Sequence, residues 1–266
     1  MNQTTLYPSP LSGLIHSRRL GLSLGINLLP PDGKVCTFDC LYCECGFNAE
    51  RRPRQPMPTR EAIITALEKE LRVLKGEDNE IDSIHAEGTS GIDVLTFSGN
   101  GEPTLHPDFP AIVDDVLRLR DRYFPQAKVS VLTNATQVVR PAIREALMRV
   151  DNAICKLDTV STAYIKEMDR PTGHYDIGQI IEALRNMNGQ AIVQTIFLVK
   201  DGIANTSDEY VVPWLEALRY IQPREVMIYT IDRPTPYPTL QKVAPAELDA
   251  IRDRVVQAGF PCIVAY

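Results

Sequence analysis

Short apolar runs and helically spaced apolar stripes alternate along the chain. Six runs of five to nine residues are rich in aliphatic residues and are bounded by turn residues, which is typical of buried strands. The predicted strands cover residues 21–29, 92–97, 128–132, 153–157, 191–199 and 226–230. Apolar residues spaced three and four apart predict helices over residues 59–76, 108–124, 141–148, 161–168, 176–187, 209–220 and 245–258.

This alternation predicts an α/β fold, because strands that alternate with helices usually run parallel and are joined by crossover helices. Eight such units close a TIM-type barrel, so six units indicate an open, partial barrel. We expect one domain over residues 1–266, with a short N-terminal extension at residues 1–20. Residues 77–91 are expected to form a polar loop, and residues 262–266 a short apolar end. Polar and glycine-rich stretches follow the strands, which predicts a functional site at their carboxyl ends.

The most distinctive chemistry lies in one loop after the first predicted strand. It reads Cys36-Thr-Phe-Asp-Cys40-Leu-Tyr-Cys43-Glu-Cys45 and holds four of the six cysteines of the chain. Thiolates are strong ligands for soft metals, and three in a short loop can converge on one centre. Fe–S clusters usually take four cysteines, so a set of three would leave one iron of a [4Fe–4S] cluster open to another ligand.

Two other uses of these cysteines stay open at this point. A structural zinc site could use Cys36, Cys40, Cys43 and Cys45, although structural zinc usually takes two separated Cys pairs, often with His. A disulfide framework is disfavoured, because the chain is long and begins without the basic-then-apolar plan of a secretory signal.

A glycine-rich stretch, Gly99-Asn-Gly101-Glu102-Pro, follows the second predicted strand. Glycines let a ligand approach the backbone closely, and a carboxylate at this place can bind an ammonium group. The alternative is a simple turn before the next helix.

Polar residues also follow the next two strands. Thr133 and Asn134 end the third predicted strand, and Lys156 and Asp158 lie near the end of the fourth. They are candidates for ligand contacts beside an otherwise apolar sheet. The alternative is turn capping, a common use of Asn and Asp.

The cysteine loop resembles the signature of the radical S-adenosylmethionine (radical SAM) superfamily. The resemblance implies that Cys36, Cys40 and Cys43 hold a [4Fe–4S] cluster whose free iron binds the amino and carboxylate groups of SAM. The reduced cluster would then split SAM into methionine and a 5′-deoxyadenosyl radical. Tyr42 would lie beside the adenine, and Cys45 would be a neighbour of the cluster rather than a ligand.

The other motifs resemble the same superfamily. The resemblance implies that the Gly99–Glu102 stretch holds the amino group of SAM. It also implies that the polar residues after the third and fourth strands contact the ribose or carboxylate. It further implies a partial barrel and an electron donor such as flavodoxin or ferredoxin.

A narrower likeness is to a branch labelled as Fe–S oxidoreductases and compared with wyosine-tRNA synthesis enzymes. It rests on residues 17–26, 97–105, 156–158, 168–171 and 229–234. The likeness covers nearly the whole chain, but it leaves the substrate open among an RNA nucleotide, a small molecule and a peptide. An activase that installs a radical on a partner protein is a further alternative.

The charge pattern limits the partners. A formal net charge of −6 argues against extended non-specific nucleic-acid binding, so no DNA partner is expected. No apolar run approaches the length of a membrane span, and a cytoplasmic location is expected.

Several arginines lie beside prolines or strands that fix the backbone, and these could each present a rigid guanidinium fork to an anion. We expect Arg170 and Arg233 to bind a phosphate or carboxylate of the substrate, and Arg18 and Arg19 are further candidates. The alternative is that Arg170 and Arg233 form salt bridges with the aspartates that precede them.

Overall fold

A mostly parallel sheet forms the inner layer of the molecule. The computed structural model describes residues 4–17, 20–78 and 91–266. Its strands are β1 (Leu11–Ser17), β2 (Gly21–Ile26), β3 (Val94–Phe97), β4 (Lys128–Thr133), β5 (Asn152–Lys156), β6 (Ala191–Ile196), β7 (Leu198–Lys200), β8 (Ile203–Ala204), β9 (Glu225–Tyr229), β10 (Gln241–Lys242) and β11 (Cys262–Ala265). Its helices are α1 (Arg60–Leu74), α2 (Phe109–Tyr123), α3 (Pro141–Arg149), α4 (Thr162–Tyr164), α5 (Ile177–Arg185), α6 (Asp208–Ile221) and α7 (Pro245–Gln257).

The strand order confirms the predicted α/β partial barrel. Eight strands pair in the order β1-β2-β3-β4-β5-β6-β9-β11, and the sheet curls into a half-barrel with helices between the strands. All neighbours from β2 to β11 pair in parallel, and β1 pairs antiparallel with β2 at one edge. The carboxyl ends of the parallel strands therefore meet along one edge, as the sequence predicted.

The structure adds a strand to two predicted segments and corrects the bounds of a third. The extension at residues 1–20 contains β1, and the apolar end forms β11, which pairs with β9. The predicted strand over residues 191–199 breaks after Ile196, and the chain enters a small antiparallel sheet of β10, β7 and β8. The side chain of Asn205 pairs with the backbone groups at this break. Its Nδ2 donates to the Ile196 carbonyl at 2.9 Å, and its Oδ1 accepts from Leu198 N at 2.9 Å.

The main core lies between the outer face of the sheet and the helices. Alternate strand residues such as Leu95, Phe97 and Val131 are fully buried there against the apolar stripe of α2, which includes Ile112 and Val116. Burying one such side chain contributes about 1.5–3 kcal/mol, so this layer fixes the register of the sheet.

The inner face of the sheet is partly polar. The hydroxyls of Ser23 and Thr96 lie 2.7 Å apart across β2 and β3, and Asn152 Nδ2 donates to Ser130 Oγ at 2.9 Å. These pairs satisfy polar groups that would otherwise destabilise a buried face. The inner side of the half-barrel is therefore suited to polar groups as well as apolar ones.

The predicted helix over residues 161–168 has an irregular second half. A π-helical turn, Ile165–Asp169, follows α4 and ends at Arg170, whose φ is +52°. The carbonyl of Met168 accepts from Leu41 N at 2.9 Å, and that of Asp169 accepts from Asp39 N at 3.0 Å. π-Helical turns recur at functional sites. This one holds the cysteine loop through the two backbone hydrogen bonds just described.

Two predictions fall wholly or largely outside the described residues: the possible anion site at Arg18 and Arg19, and the loop at residues 77–91. Within the described ranges, no helix combines the length and the apolar character that crossing a membrane requires.

Candidate functional site

The cysteine loop sits against the glycine-rich stretch that follows β3. Val35 N donates to the Asn100 carbonyl at 3.0 Å, and Glu102 N donates to the Val35 carbonyl at 2.9 Å. Gly101 has φ +129°, and a Cβ there would lie 2.0 Å from the Val35 oxygen. At Gly99, with φ +152°, a Cβ would lie 2.3 Å from Asn27 Oδ1. Both glycines therefore allow a close backbone approach that other residues would prevent.

Two buried asparagines hold the N-terminal segment against this site. Asn100 Oδ1 accepts from Tyr7 N at 2.8 Å, while its Nδ2 donates to the carbonyls of Tyr7 and Pro30 at 2.9 and 2.8 Å. Asn27 Nδ2 donates to the carbonyls of Tyr7 and Pro8 at 3.2 and 3.1 Å. The predicted extension is thus part of the site's wall.

Each of the three predicted ligand cysteines meets a hydrogen-bond donor. Cys36 Sγ lies 3.5 Å from both Phe38 N and Asn134 Nδ2. Cys40 is buried, and its Sγ lies 3.2 Å from the Lys156 ammonium. Cys43 interacts with the side chain and backbone of Cys45 and with the Lys34 ammonium.

The same surroundings give the four cysteines of the loop different pKa values. Burial raises the pKa of Cys36 to about 11 and also raises the pKa of Cys40. The hydrogen bond from Cys45 and the nearby Lys34 ammonium lower the pKa of Cys43 to about 6 despite its burial. The hydrogen bond to Cys43 and burial raise the pKa of Cys45. Cys43 is therefore the cysteine of the loop that is most readily a thiolate.

Lys34, which the sequence pattern did not indicate as a site residue, is buried beside the cysteine loop. The side chain of Lys34 is 1% exposed, and its ammonium donates to the Gly46 carbonyl at 2.8 Å and lies 3.5 Å from Asp39 Oδ1. Burial alone would lower its pKa, but the charges of Cys43, Cys36 and neighbouring groups raise it above the ordinary value. The lysine thus stays cationic beside the thiols.

The donor set fits an iron–sulfur cluster. Three thiols from one loop meet N–H donors and two buried ammonium groups, and hydrogen bonds to sulfur tune such clusters. Among the described residues, no three His, Cys, Asp or Glu side chains are grouped to hold a single metal ion.

Lys156 and Asp158 belong to a buried ionic network at the end of β5. The Lys156 ammonium lies 2.6 Å from Asp169 Oδ1 and 3.3 Å from Asp158 Oδ2. The Tyr42 hydroxyl donates to both carboxylates, at 3.0 Å to Asp169. Burial raises the pKa of Asp158 to about 7, Lys156 opposes that rise and Asp169 adds to it.

Glu102 is 1% exposed and its carboxylate is already well bonded. Oε1 accepts from Thr104 N at 3.1 Å, from the Thr104 hydroxyl and from Thr133 Oγ1 at 2.7 Å, while Oε2 accepts from Asn134 N at 2.6 Å. Burial raises the pKa of Glu102, and these hydrogen bonds lower it in part. Its first evident role is to join the loop after β3 to the end of β4.

Thr133 and Asn134 cap the turn after β4, which was one of the two predicted alternatives. Thr133 Oγ1 accepts from Ala135 N at 3.1 Å, and Asn134 Oδ1 accepts from Thr136 N at 3.0 Å. Asn134 also reaches the cysteine loop, because its Nδ2 donates to Thr37 Oγ1 at 2.9 Å.

A cavity of about 530 Å³ opens beside the cysteine loop at the carboxyl ends of the strands. That volume lies within the usual range for small-molecule sites. Of the predicted site residues, Tyr42, Cys43, Gly99 and Arg233 line it. The others lie outside its lining: Cys36, Cys40, Gly101, Glu102, Thr133, Asn134, Lys156, Asp158 and Arg170.

The two predicted substrate arginines have different positions. Arg233 lines the cavity and forms a salt bridge of 2.7 Å with Glu44, while the Tyr7 hydroxyl lies 3.3 Å from both residues. Arg170 stacks 5.1 Å from the Phe47 ring and lies 4.0 Å from Asp39.

The predicted salt-bridge partners were therefore wrong for both arginines. Asp169 instead pairs with Lys156, and Asp232 with Lys242 at 3.6 Å.

The chain is similar in sequence to proteins described only as UPF0026 proteins. One from Methanocaldococcus jannaschii is 28% identical over 244 residues, which are 90% of this chain and 68% of that protein. One from Helicobacter pylori is 28% identical over 234 residues, which are 86% and 68% of the two chains. No protein-family model matches the chain.

Solved radical SAM enzymes have a similar fold. SuiB from Streptococcus suis bound to S-adenosylmethionine aligns with a TM-score of 0.62 and 16% identity, over 92% of this chain and 51% of SuiB. A radical SAM methyltransferase from Sphaerobacter thermophilus gives 0.65 and 15%, over 95% and 68%. TYW1 with a lysine-pyruvate adduct bound gives 0.60 and 11%, over 88% and 73%. This chain thus spans about half the length of SuiB.

These alignments agree with the motifs, because they cover the sheet whose carboxyl edge carries the cysteine loop. The chain has the fold of these radical SAM enzymes, which agrees with the resemblance of its cysteine spacing.

Proposed function

We propose that this chain is a radical SAM enzyme that acts on an anionic substrate. The observation that carries the proposal is the meeting of the cysteine loop, the glycine-rich stretch and a ligand-sized cavity at the carboxyl ends of parallel strands. This is the edge at which α/β barrels place their active sites. The fold shared with radical SAM enzymes supports the same class of chemistry.

In this proposal Cys36, Cys40 and Cys43 hold a [4Fe–4S] cluster. When bound and reduced, the cluster supplies the electron that cleaves SAM to methionine and a 5′-deoxyadenosyl radical. Lys34 and Lys156 offset the negative charge of the thiolates, and the burial of Cys40 keeps water from its sulfur. Flavodoxin or ferredoxin in the cytoplasm would supply the electron.

Tyr42 and Gly99 would form the seat for SAM beside Cys43. The carboxylates of Asp158 and Asp169 both accept from the Tyr42 hydroxyl, so they fix the plane of its ring at the cavity wall. A fixed aromatic ring offers the adenine a flat face for stacking. Gly99 has no side chain, so it leaves the backbone beside the cysteine loop open to a ligand.

Anaerobic reconstitution tests the proposal. The purified chain should take up iron and sulfide in equal amounts and turn brown, and equilibrium titration should then show SAM binding to the reconstituted protein. A colourless protein that binds zinc through the loop, or a cluster-loaded protein without affinity for SAM, would contradict it.

The substrate end of the cavity supplies a prediction for Arg233. Its guanidinium is half-exposed, lines the cavity and is held only by Glu44 and Tyr7 among the described contacts, so an anion can replace the Glu44 carboxylate. We expect Arg233→Ala to keep the slow, reductant-dependent cleavage of SAM. It should lose, at least tenfold, the stimulation that cell extract gives the wild type.

Arg170→Ala is the matched control. Arg170 is also a partly exposed arginine with a carboxylate partner, but it lies outside the cavity lining. We expect it to respond to extract like the wild type. Equal responses from the two variants, or a loss of SAM binding in Arg233→Ala, would remove Arg233 from the substrate site.

A further inference from the structure

The Lys156 ammonium donates two hydrogen bonds inside the protein, to Cys40 and Asp169, and forms an ion pair with Asp158. Its Nζ lies 3.2 Å from Cys40 Sγ, 2.6 Å from Asp169 Oδ1 and 3.3 Å from Asp158 Oδ2. A lysine ammonium has three donors. Two of the three donors are therefore used inside the protein, and the third lies beside the Asp158 carboxylate.

Two aromatic rings also lie next to this ammonium. Nζ lies 4.6 Å from the centre of the Phe38 ring and 5.0 Å from that of Tyr42, within the range of cation–π attraction. The side chain is 14% exposed, and Lys156 lies outside the cavity lining. The cation is thus fixed beside one sulfur of the cysteine loop and shielded from the ligand cavity.

We propose that Lys156 is a positioning residue that sets the reduction potential of the cluster through its hydrogen bond to Cys40, rather than a residue that binds the carboxylate of SAM. The inference rests on the proposed function, because it takes Cys40 as a ligand of the cluster. Asp169 and Asp158 hold the ammonium in place and moderate its charge.

The direction of the effect follows from electrostatics. Reduction adds a negative charge to the cluster, and a cation at a ligand sulfur stabilises the reduced form more than the oxidised form. Charge-assisted hydrogen bonds are about twice as strong as neutral ones, and burial limits their screening. Lys156 therefore makes the cluster easier to reduce, and its two carboxylates make it harder.

Redox titration of the reconstituted protein without SAM measures this directly. Lys156→Met keeps the length of the side chain and removes the charge. At a fixed potential we expect its ratio of reduced to oxidised cluster to fall about tenfold, which is 59 mV for a one-electron couple. Lys156→Arg keeps a cation at the site and should stay within about threefold of the wild type.

If Lys156→Met fails to assemble a cluster, a second variant still tests the proposal. Asp169→Asn removes the charge of one carboxylate that offsets the ammonium, and the amide oxygen of the asparagine can still accept a hydrogen bond from Lys156. The ratio of reduced to oxidised cluster should then rise, opposite to the change expected for Lys156→Met. An unchanged or lower ratio would overturn the proposal.

The affinity for SAM separates the two roles of Lys156. Our proposal expects Lys156→Met to bind SAM within about threefold of the wild type while the potential moves. A loss of SAM affinity of about a hundredfold with an unchanged potential would assign Lys156 to the SAM carboxylate instead. A wild-type protein that assembles no cluster would refute the proposed function, and not this inference alone.

Discussion

Cys36→Ala, Cys40→Ala and Cys43→Ala should each leave anaerobic reconstitution without a [4Fe–4S] cluster, whereas Cys45→Ala should retain one. A cluster with three protein ligands would lose one of its three bonds to the protein with each of these substitutions. Asn134 donates to the sulfur of Cys36 and Lys156 to that of Cys40, while Cys43 interacts with Cys45 and the Lys34 ammonium. Iron and sulfide content per chain measures the result.

Cys45 is the matched control, because it lies in the same loop and is buried to about the same extent as Cys40. Its thiol donates to the Gly99 carbonyl at 3.5 Å and also interacts with Cys43, so its loss would change the acidity of Cys43 but not the number of predicted ligands. A Cys45→Ala protein without iron, beside a Cys43→Ala protein with a full cluster, would reverse the assignment.

Glu102→Ala should lower the free energy of unfolding of the cluster-free protein by about 3 kcal/mol or more. The change leaves Asn134 N, Thr104 N and two hydroxyls without an acceptor in a buried site, and each such group costs about 1–3 kcal/mol. Denaturant unfolding measures the loss. Thr133→Val keeps the side-chain shape and removes one of these bonds together with the bond from Ala135 N, so it should cost only about 2 kcal/mol.

The same variant tests the contact with SAM that the resemblance implies. Among the described residues, Asn134 N is the one donor to Glu102 Oε2, so this oxygen keeps a lone pair for an ammonium group. We expect Glu102→Ala, once reconstituted, to bind SAM about ten- to a hundredfold more weakly than Thr133→Val. Unchanged affinity would leave Glu102 as a structural residue, and unchanged stability would contradict the hydrogen-bond network itself.

The sequence pattern predicted the parallel strands well, because each buried strand is a continuous apolar run followed by turn residues. It missed β1, where Gly13 has a φ of +90° and the run is interrupted by polar residues. It also missed β11, since four apolar residues at 262–265 become a strand only by pairing with β9. In both cases tertiary pairing decides the structure.

The candidate site was predictable only in part. The loop spacing identified Cys36, Cys40 and Cys43, but their distant partners leave no local signal. Lys156 meets Cys40 across 116 residues of chain, and Asp169 is brought inward by a π-helical turn that periodicity reads as ordinary helix. These contacts depend on the fold, so no local pattern in the sequence indicates them.

The formation of 5′-deoxyadenosine from SAM tests the central claim most directly. The wild-type protein, reconstituted without oxygen and given a strong reductant and SAM, should release 5′-deoxyadenosine and methionine in equal amounts, while Cys43→Ala treated in the same way should release neither. A wild-type protein that carries a full cluster, binds SAM and yet forms no 5′-deoxyadenosine under these conditions would contradict the account.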